Sequence, residues 1–293
     1  SAAVYAFGKQ LDAVMVCEKI GGKAGTQQHL QGQANEEYVA GAEAARALER
    51  QLSTSAAQTI CDCVTAISKH NGVFSVATEQ HGTLEGMAVL IATGASPVRL
   101  DAPGAAELLN QGLGYSATTH AHLVAGKPVA VVGATVRALR GAAELARSAA
   151  HVYLVVPGEG ELETPLGRAL RQCTNVEVLE GYHVKSVVGP FNVAELLVER
   201  GKDHRRLRVN AAFVDLGLRP NSALVQQIAQ TDAEGFVWVD ERYATTLPGL
   251  FAAGDVTTSF GEQILIAIGD GARAALSAYD YILANTPIAI AAQ

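Results

Sequence analysis

The run Gly-Leu-Phe-Ala-Ala-Gly-Asp-Val at positions 249–256 ends an apolar stretch in a glycine and a carboxylate. Such a stretch reads as a buried strand, after which Gly254 lets a ligand approach the backbone and Asp255 offers an acceptor for ligand hydroxyls. Gln263 and Ile264 follow at the start of a long helical segment, 262–283. Its N-terminal amides favour negative charge. A second carboxylate, Glu18, follows the apolar run 12–17 and precedes Gly21, Gly22 and Lys23. That position suits the hydroxyls of an adenosine ribose. Thr93 and Gly94 close a third apolar run, 87–92.

A dinucleotide pyrophosphate needs backbone amides at close range, supplied by a glycine turn between a strand and a helix. That order occurs once, in PVAVVGATVRALRGAAELA at 128–146. Gly133 fills the first glycine position, but Thr135 stands at the second, where its branched Cβ opposes close approach. The following strand, 151–156, ends in Val-Pro-Gly with no arginine for a 2′-phosphate, and leaves Glu159 as an acceptor for a free 2′-hydroxyl. Matches to G-x-G-x-x-A at 112–117 and 269–274 lack the strand–turn–helix context and read as chance.

Four cysteines, Cys17, Cys61, Cys63 and Cys173, form neither a disulfide framework nor a paired zinc pattern. Cys61 and Cys63 lie two apart on an expected strand and read as packing residues on one face. His120 and His122 have no third ligand nearby in the sequence to complete a metal site.

The elements that must carry these residues alternate between two periods. Segments 12–17, 87–92 and 250–253 read as buried strands and 35–52 as an amphipathic helix. Segments 60–68 and 73–77 read as a hairpin about His70-Asn71-Gly72, because Asn-Gly supplies the positive φ angles of a tight turn. Strand 128–132, helix 136–149 and strand 151–156 make a βαβ unit, and 193–198 and 207–214 pair about a turn at 201–203. The class is α/β. Segments 112–121 and 242–247 read as hinges, giving one domain from 1–113 and 246–293 with a second, 114–245, inserted in it.

Composition narrows the class of partner. At 49 % hydrophobic, the 293 residues can bury a core, which excludes a disordered chain. No apolar run reaches the roughly 18 residues of a membrane span, and the net charge of -7 leaves no footprint for nucleic acid. The basic cluster 202–208 reads as a solvated loop. A reducing, cytoplasmic setting is the expectation.

Taken together, EKIGGKAGT (18–26), VLIATGASP (89–97), DLGLRPNS (215–222) and GFVWVDERYATTLPGLFAAGDV (235–256), followed by GEQILIAIGDGARAAL, resemble the thioredoxin-reductase-like branch of the FAD-dependent pyridine nucleotide-disulfide oxidoreductases. The resemblance implies two Rossmann-like, three-layer domains, one for FAD and one for NAD(P)H, in a homodimer that meets a small redox partner. It places Glu18 on the FAD ribose, with Gly21, Gly22 and Lys23 near the adenosine. Thr93, Gly94 and Gly254 line the FAD site, Asp255 meets the ribityl or pyrophosphate region, and Gln263 and Ile264 approach the flavin ring.

The departures redirect the expected chemistry. Where the branch carries a redox Cys-x-x-Cys and then an acid, this chain has Ser116, Thr119 and His120. Hydroxyls cannot form a disulfide. His120 becomes the candidate for protonation near the flavin. Gly133 with Thr135, and the arginine-free 156–158, argue against NAD(P)H binding, and the segment 27–38 lacks a match to the flavin-contacting loop. The expected activity is flavin hydride or electron transfer without disulfide reduction. The alternatives are a non-catalytic or regulatory FAD-binding protein and a ferredoxin-NAD(P) reductase-like enzyme. Residues 1–6 align with the helix that follows a first strand and G-x-G-x-x-G, so about 15 to 20 further residues of that βα unit are expected upstream.

Overall fold

Two units share the chain in the computed structural model, which describes residues 1–18, 20–22, 42–54 and 58–286. One is built from both ends, up to Ser96 and again from Arg219, and the other spans Pro97–Leu218. The changeovers expected at 113/114 and 245/246 thus fall at 96/97 and 218/219. The segment 112–121 lies inside the second unit, where its Leu113 and Gly114 pair into the sheet.

In the first unit, helix α1 (Ala2–Gly8) precedes strand β1 (Val14–Val16), and α2 (Ala42–Thr54) precedes β2 (Gln58–Ile60), which pairs parallel with β1. The expected helix 35–52 is seen only from residue 42, since 35–41 lie outside the described residues, as do Lys23 and the segment 27–38. Strands β3 (Val64–His70), β4 (Val73–Thr78) and β5 (Thr83–Gly86) form an antiparallel meander. Asn71 and Gly72 turn it with φ of 50° and 85°. The short strands β6 (Val89–Ile91) and β7 (Ala95–Pro97) follow. Cys61 and Cys63 do not share a strand face: residues 61–63 connect β2 to β3, held by the Asp62 carboxylate. It accepts from the Cys63 amide at 2.7 Å and from the Gln80 and His81 amides at 3.0 Å each, and pairs with His81 Nδ1 at 2.8 Å.

The second unit begins with β8 (Leu113–Gly114) and the single turn α3 (Ala117–His120). Then come β9 (Pro128–Val132), α4 (Val136–Ala146), β10 (His151–Val156), α5 (Pro165–Gln172) and β11 (Val176–Glu180). An antiparallel trio, β12 (His183–Val188), β13 (Glu195–Arg200) and β14 (Asp203–Arg208), leads into β15 (Ala211–Val214). The parallel sheet has the order β11-β10-β9-β15-β8. Its two faces alternate along β9 as strand geometry requires. Val129 and Val131 pack with Leu139 and Leu145 of α4, while Ala130 and Val132 pack with Leu196 and Leu207 of the trio. This is a helix, sheet and antiparallel-sheet sandwich, the three-layer α/β arrangement expected.

Two local readings change. The segment 207–214 splits, because Val209 and Asn210 carry the chain from β14 into β15, the Asn210 amide donating to Pro128. The basic cluster is a strand, not a loop: Arg205 pairs with Glu177 at 2.7 Å, Arg206 with Glu195 at 3.2 Å and His204 with Glu199 at 3.2 Å.

The chain re-enters the first unit through β16 (Leu218–Pro220), which pairs with β7. Strand β17 (Leu250–Ala252) lies parallel to β6, and α6 (Ile264–Asn285) completes the unit. Ile67, Phe74, Ile91, Leu250 and Val256 share its core. A Cβ on Gly271 of α6 would come within 2.4 Å of Ser1 Oγ, so that glycine admits the start of α1.

Candidate functional site

In the first unit the candidate residues follow the carboxyl ends of two parallel strand pairs, β1–β2 and β6–β17. Ile91 of β6 faces Ala252 of β17, and the Ala253 amide donates to Ile91 at 2.9 Å, so Thr93-Gly94 and Gly254-Asp255 leave the sheet side by side. Asn221 fixes the first of these turns: its amide donates to Gly94, its side-chain nitrogen donates to Thr93 at 2.9 Å, and its carbonyl accepts from Thr93 Oγ1 at 2.7 Å. Gly94 has φ of 69° and open space where a Cβ would lie. Gly254 has φ of 72° and lies against α6, a Cβ there being 3.3 Å from that of Ala267. Gln263 is the N-cap of α6, and its side chain does not cap the helix amides.

Glu18, Gly21 and Gly22 follow β1, also at a carboxyl end. Glu18 is exposed, and the two glycines have φ of 94° and 46° with open space around them. Open, positive-φ glycines at 21, 22 and 94, with Glu18 after β1 and Asp255 between β17 and α6, are residue types that fit a nucleotide cofactor such as FAD, whose phosphates need bare backbone and whose hydroxyls need acceptors.

The second unit places its candidates differently. In a parallel sheet, ligands enter where strand order reverses, here between β9 and β15. Thr135 and Asp215 stand at that point. Thr135 Oγ1 accepts from the Ala138 amide at 3.0 Å, capping α4, and donates to Asp215 Oδ1 at 3.1 Å. Arg137 Nε pairs with Asp215 Oδ2 at 3.1 Å. Gly133 is required by this chain's own backbone, since a Cβ would lie 1.9 Å from the Asp215 carbonyl oxygen. The loop after β10 closes over the turn: a Cβ on Gly160 would meet Ala134 Cβ at 2.1 Å, and the Glu161 amide donates to Ala134. Glu159 is exposed. Thr135 therefore turns back onto Asp215 instead of toward a phosphate. These residues do not fit a dinucleotide pyrophosphate.

Ser116, Thr119 and His120 belong to the second unit as well. The Ser116 and Thr119 hydroxyls are bonded at 2.7 Å. His120 is buried, its Nδ1 2.9 Å from the Ser116 carbonyl and its ring parallel to Phe213 at 6.4 Å. Its helix, α3, seats on α4 where Gly141 leaves room for Ala117.

Sequence reasoning missed Asp215, Arg137, Asn221 and Asp62. A signal existed for Asp215, an acid placed immediately after the apolar strand 211–214. It also missed the buried pair in which the Tyr243 hydroxyl bonds Asp270; burial and then that bond push the phenol pKa up. Among the described residues no group of three or more metal-ligating side chains occurs, and no helix is long and apolar enough to cross a membrane.

A doubled α/β architecture with nucleotide-type glycine turns at strand ends defines a class, and comparison with known proteins gives the family. The model of the pyridine nucleotide-disulphide oxidoreductase family matches residues 1–271. The chain belongs to that family of FAD-dependent oxidoreductases, and its relatives include thioredoxin reductases and alkyl hydroperoxide reductase F-subunits. The alkyl hydroperoxide reductase of Staphylococcus aureus strain Mu50 is, in its F-subunit, 31 % identical over 294 residues, covering 97 % of this chain. The Staphylococcus epidermidis protein of the same name is 31 % identical over 289 residues. The chain spans 57 % of the length of these relatives. Among solved structures, thioredoxin reductase from Streptococcus pyogenes matches with a TM-score of 0.84 and 26 % identity, covering 97 % of this chain and 94 % of that one. Thioredoxin reductase from Giardia duodenalis, with a TM-score of 0.83 and 23 % identity over 96 % of this chain and 94 % of that one, shares the fold.

Proposed function

We propose that this chain binds FAD in its first unit and transfers electrons through it, with neither a hinge disulfide nor NAD(P)H bound in the β9–β15 crevice. The observation that carries this reading is the grip of Thr135 and Arg137 on Asp215, at 3.1 Å each, where a nicotinamide nucleotide would otherwise enter. Ser116 and Thr119 support the other half, since hydroxyls offer no sulfur for exchange.

Glu18 would accept from the ribose hydroxyls, with Gly21, Gly22 and Lys23 beside the adenosine. Thr93, Gly94 and Gly254 would leave room for the cofactor, Asp255 would accept from the ribityl hydroxyls, and the amides leading into Ile264, with Gln263, would face the ring. When bound, FAD supplies two-electron and one-electron exchange at that ring. His120, buried against Phe213 and bonded to the Ser116 carbonyl, is assigned to holding α3 in place. A homodimer, a small redox partner and a cytoplasmic setting belong to the same proposal. The filled crevice favours a second reading as well, an FAD-binding protein without turnover. It disfavours a ferredoxin-NAD(P) reductase, which needs that crevice open.

The test is anaerobic titration of the flavin-loaded protein with NADH, NADPH, reduced ferredoxin and dithionite, followed by the visible flavin band. Dithionite is expected to bleach the band and neither nucleotide to do so. Stoichiometric bleaching by NADH or NADPH overturns the reading, and bleaching by dithionite alone selects the form without turnover.

A further inference from the structure

Two of the four cysteines face each other at the end of the β1–β2 pair. Val16 is in register with Ile60, and two backbone hydrogen bonds carry the pairing one residue further. The Cys17 amide donates to Ile60 at 3.0 Å, and the Asp62 amide donates to the Cys17 carbonyl at 3.3 Å. In a parallel ladder that pattern sets Cys17 opposite Cys61, with both side chains on one face. Neighbouring strands lie about 4.8 Å apart, inside the window of about 4.4 to 6.8 Å between Cα atoms that a disulfide spans.

The environments of the two thiols differ. Cys61 is exposed and its Sγ–H donates to the Glu18 carbonyl at 3.4 Å. Cys17 is half-buried; burial first, and then the neighbouring Cys61 charge, push its pKa up. Cys63 is a poorer candidate: burial, then the Glu18, Glu79 and Asp62 carboxylates, raise its pKa, and its Sγ–H points to the Val64 carbonyl. Cys173 lies in the second unit, bonded to the Ala169 carbonyl of its own helix.

We infer that Cys17 and Cys61 form a thiol–disulfide exchange site for low-molecular-weight disulfides, with Cys61 the attacking and Cys17 the resolving sulfur. The Cys61 thiolate, having given its proton to solvent, attacks one sulfur of the external disulfide. A mixed disulfide forms and the first thiolate leaves. The Cys17 thiol then gives its proton to solvent, attacks the Cys61 sulfur, releases the second thiolate and closes the cross-strand disulfide, and both released thiolates take up protons from solvent. Both electrons of the oxidation pass to the external disulfide, which ends as two thiols. The closed form has no S–H to give to the Glu18 carbonyl, so oxidation is registered at the segment that carries Glu18. The inference stands on the pairing of β1 with β2 and is independent of what the strand ends bind.

The experiment incubates the full chain with oxidised glutathione, blocks free thiols with iodoacetamide and maps tryptic peptides by mass spectrometry. The expected product links the peptide containing Cys17 to the one containing Cys61 and Cys63, with loss of both reactive thiols and no retained glutathione. Cys63→Ser is expected to give the same link. Cys17→Ser is expected to stop at glutathione held on Cys61. A Cys61–Cys63 disulfide, a stable glutathione adduct on the parent chain, or unreacted Cys17 and Cys61 in a chain that circular dichroism shows to be folded would each overturn the inference.

Discussion

The carboxyl ends of β6 and β17 in the first unit and of β9 and β15 in the second are built alike, each a pair of neighbouring parallel strands that ends beside a helix N-terminus. They differ within the first three residues beyond the strands. After β6 and β17 come Gly94 and Gly254, with positive φ and, at Gly94, open space. After β9 and β15 come Thr135 and Asp215, which bond each other, and Arg137, which pairs with the same carboxylate. Parallel strand ends supply a crevice in both cases, but two or three side chains decide whether a ligand or the protein itself fills it.

The comparison breaks most visibly under one substitution made twice. Gly133→Ala puts a Cβ 1.9 Å from the Asp215 carbonyl oxygen, which backbone alone must absorb. A loss of about 3 kcal/mol from the second unit is expected, as for overpacking of a rigid site. Gly94→Ala meets open space and adds only the cost of a positive φ, about 1 kcal/mol. Urea denaturation of both variants measures the difference, and equal losses would show that the two turns are not packed differently.

Acid separates the units further. Burial pushes the Asp62 carboxyl up, but the bonds from His81, the Gln80 and Cys63 amides and Thr78 outweigh it and hold it well below the ordinary range. Because the folded value is lowered, the stabilisation is complete above the unfolded value of about 4 and is lost as the pH falls toward the folded one. In the second unit Glu199 is also lowered, first by Lys185, but that pair is exposed and screened by salt. Asp62→Asn is expected to lower the urea midpoint of the first unit at neutral pH and to flatten its decline as the pH falls below about 4. An unchanged slope would remove Asp62 from the acid response.

Much of the architecture was legible because it rests on period and turn chemistry. Strands β9 and β10 fall where continuous apolar runs put them, and Asn71-Gly72 fixes the β3–β4 turn. The unit boundaries were not legible. The glycine-rich stretch 112–121 looks like a linker, yet Leu113 and Gly114 pair with β15, a contact about a hundred residues away that no local signal reports. The split at Val209-Asn210 was hidden because two strands of different sheets abut without a glycine or proline between them. At the candidate sites, glycines and lone acids were readable by type. Partners were not: Thr135 was legible as an obstacle, whereas its bond to Asp215 depends on the adjacency of β9 and β15.

That bond is also where the comparison can be sharpened by reversal. Thr135→Gly restores bare backbone at the second glycine position, and glycine is itself a tolerated N-cap, so α4 loses only a few tenths of a kcal/mol, roughly. Asp215→Ala removes the carboxylate and releases the Arg137 guanidinium from its 3.1 Å pair, leaving a cation next to the helix N-terminus. The loop that crosses Ala134 at Gly160 stays, so the opening is partial. The double variant is expected to bind NADH about tenfold more tightly than the parent chain, a gain of about 1.4 kcal/mol, measured by nucleotide fluorescence. Adding Arg137→Ala is expected to erase the gain, because the released guanidinium is the group that meets the phosphates. If the parent binds NADH as tightly as the double variant, the Thr135–Asp215 contact does not close the crevice, and the two strand-end sites are functionally alike.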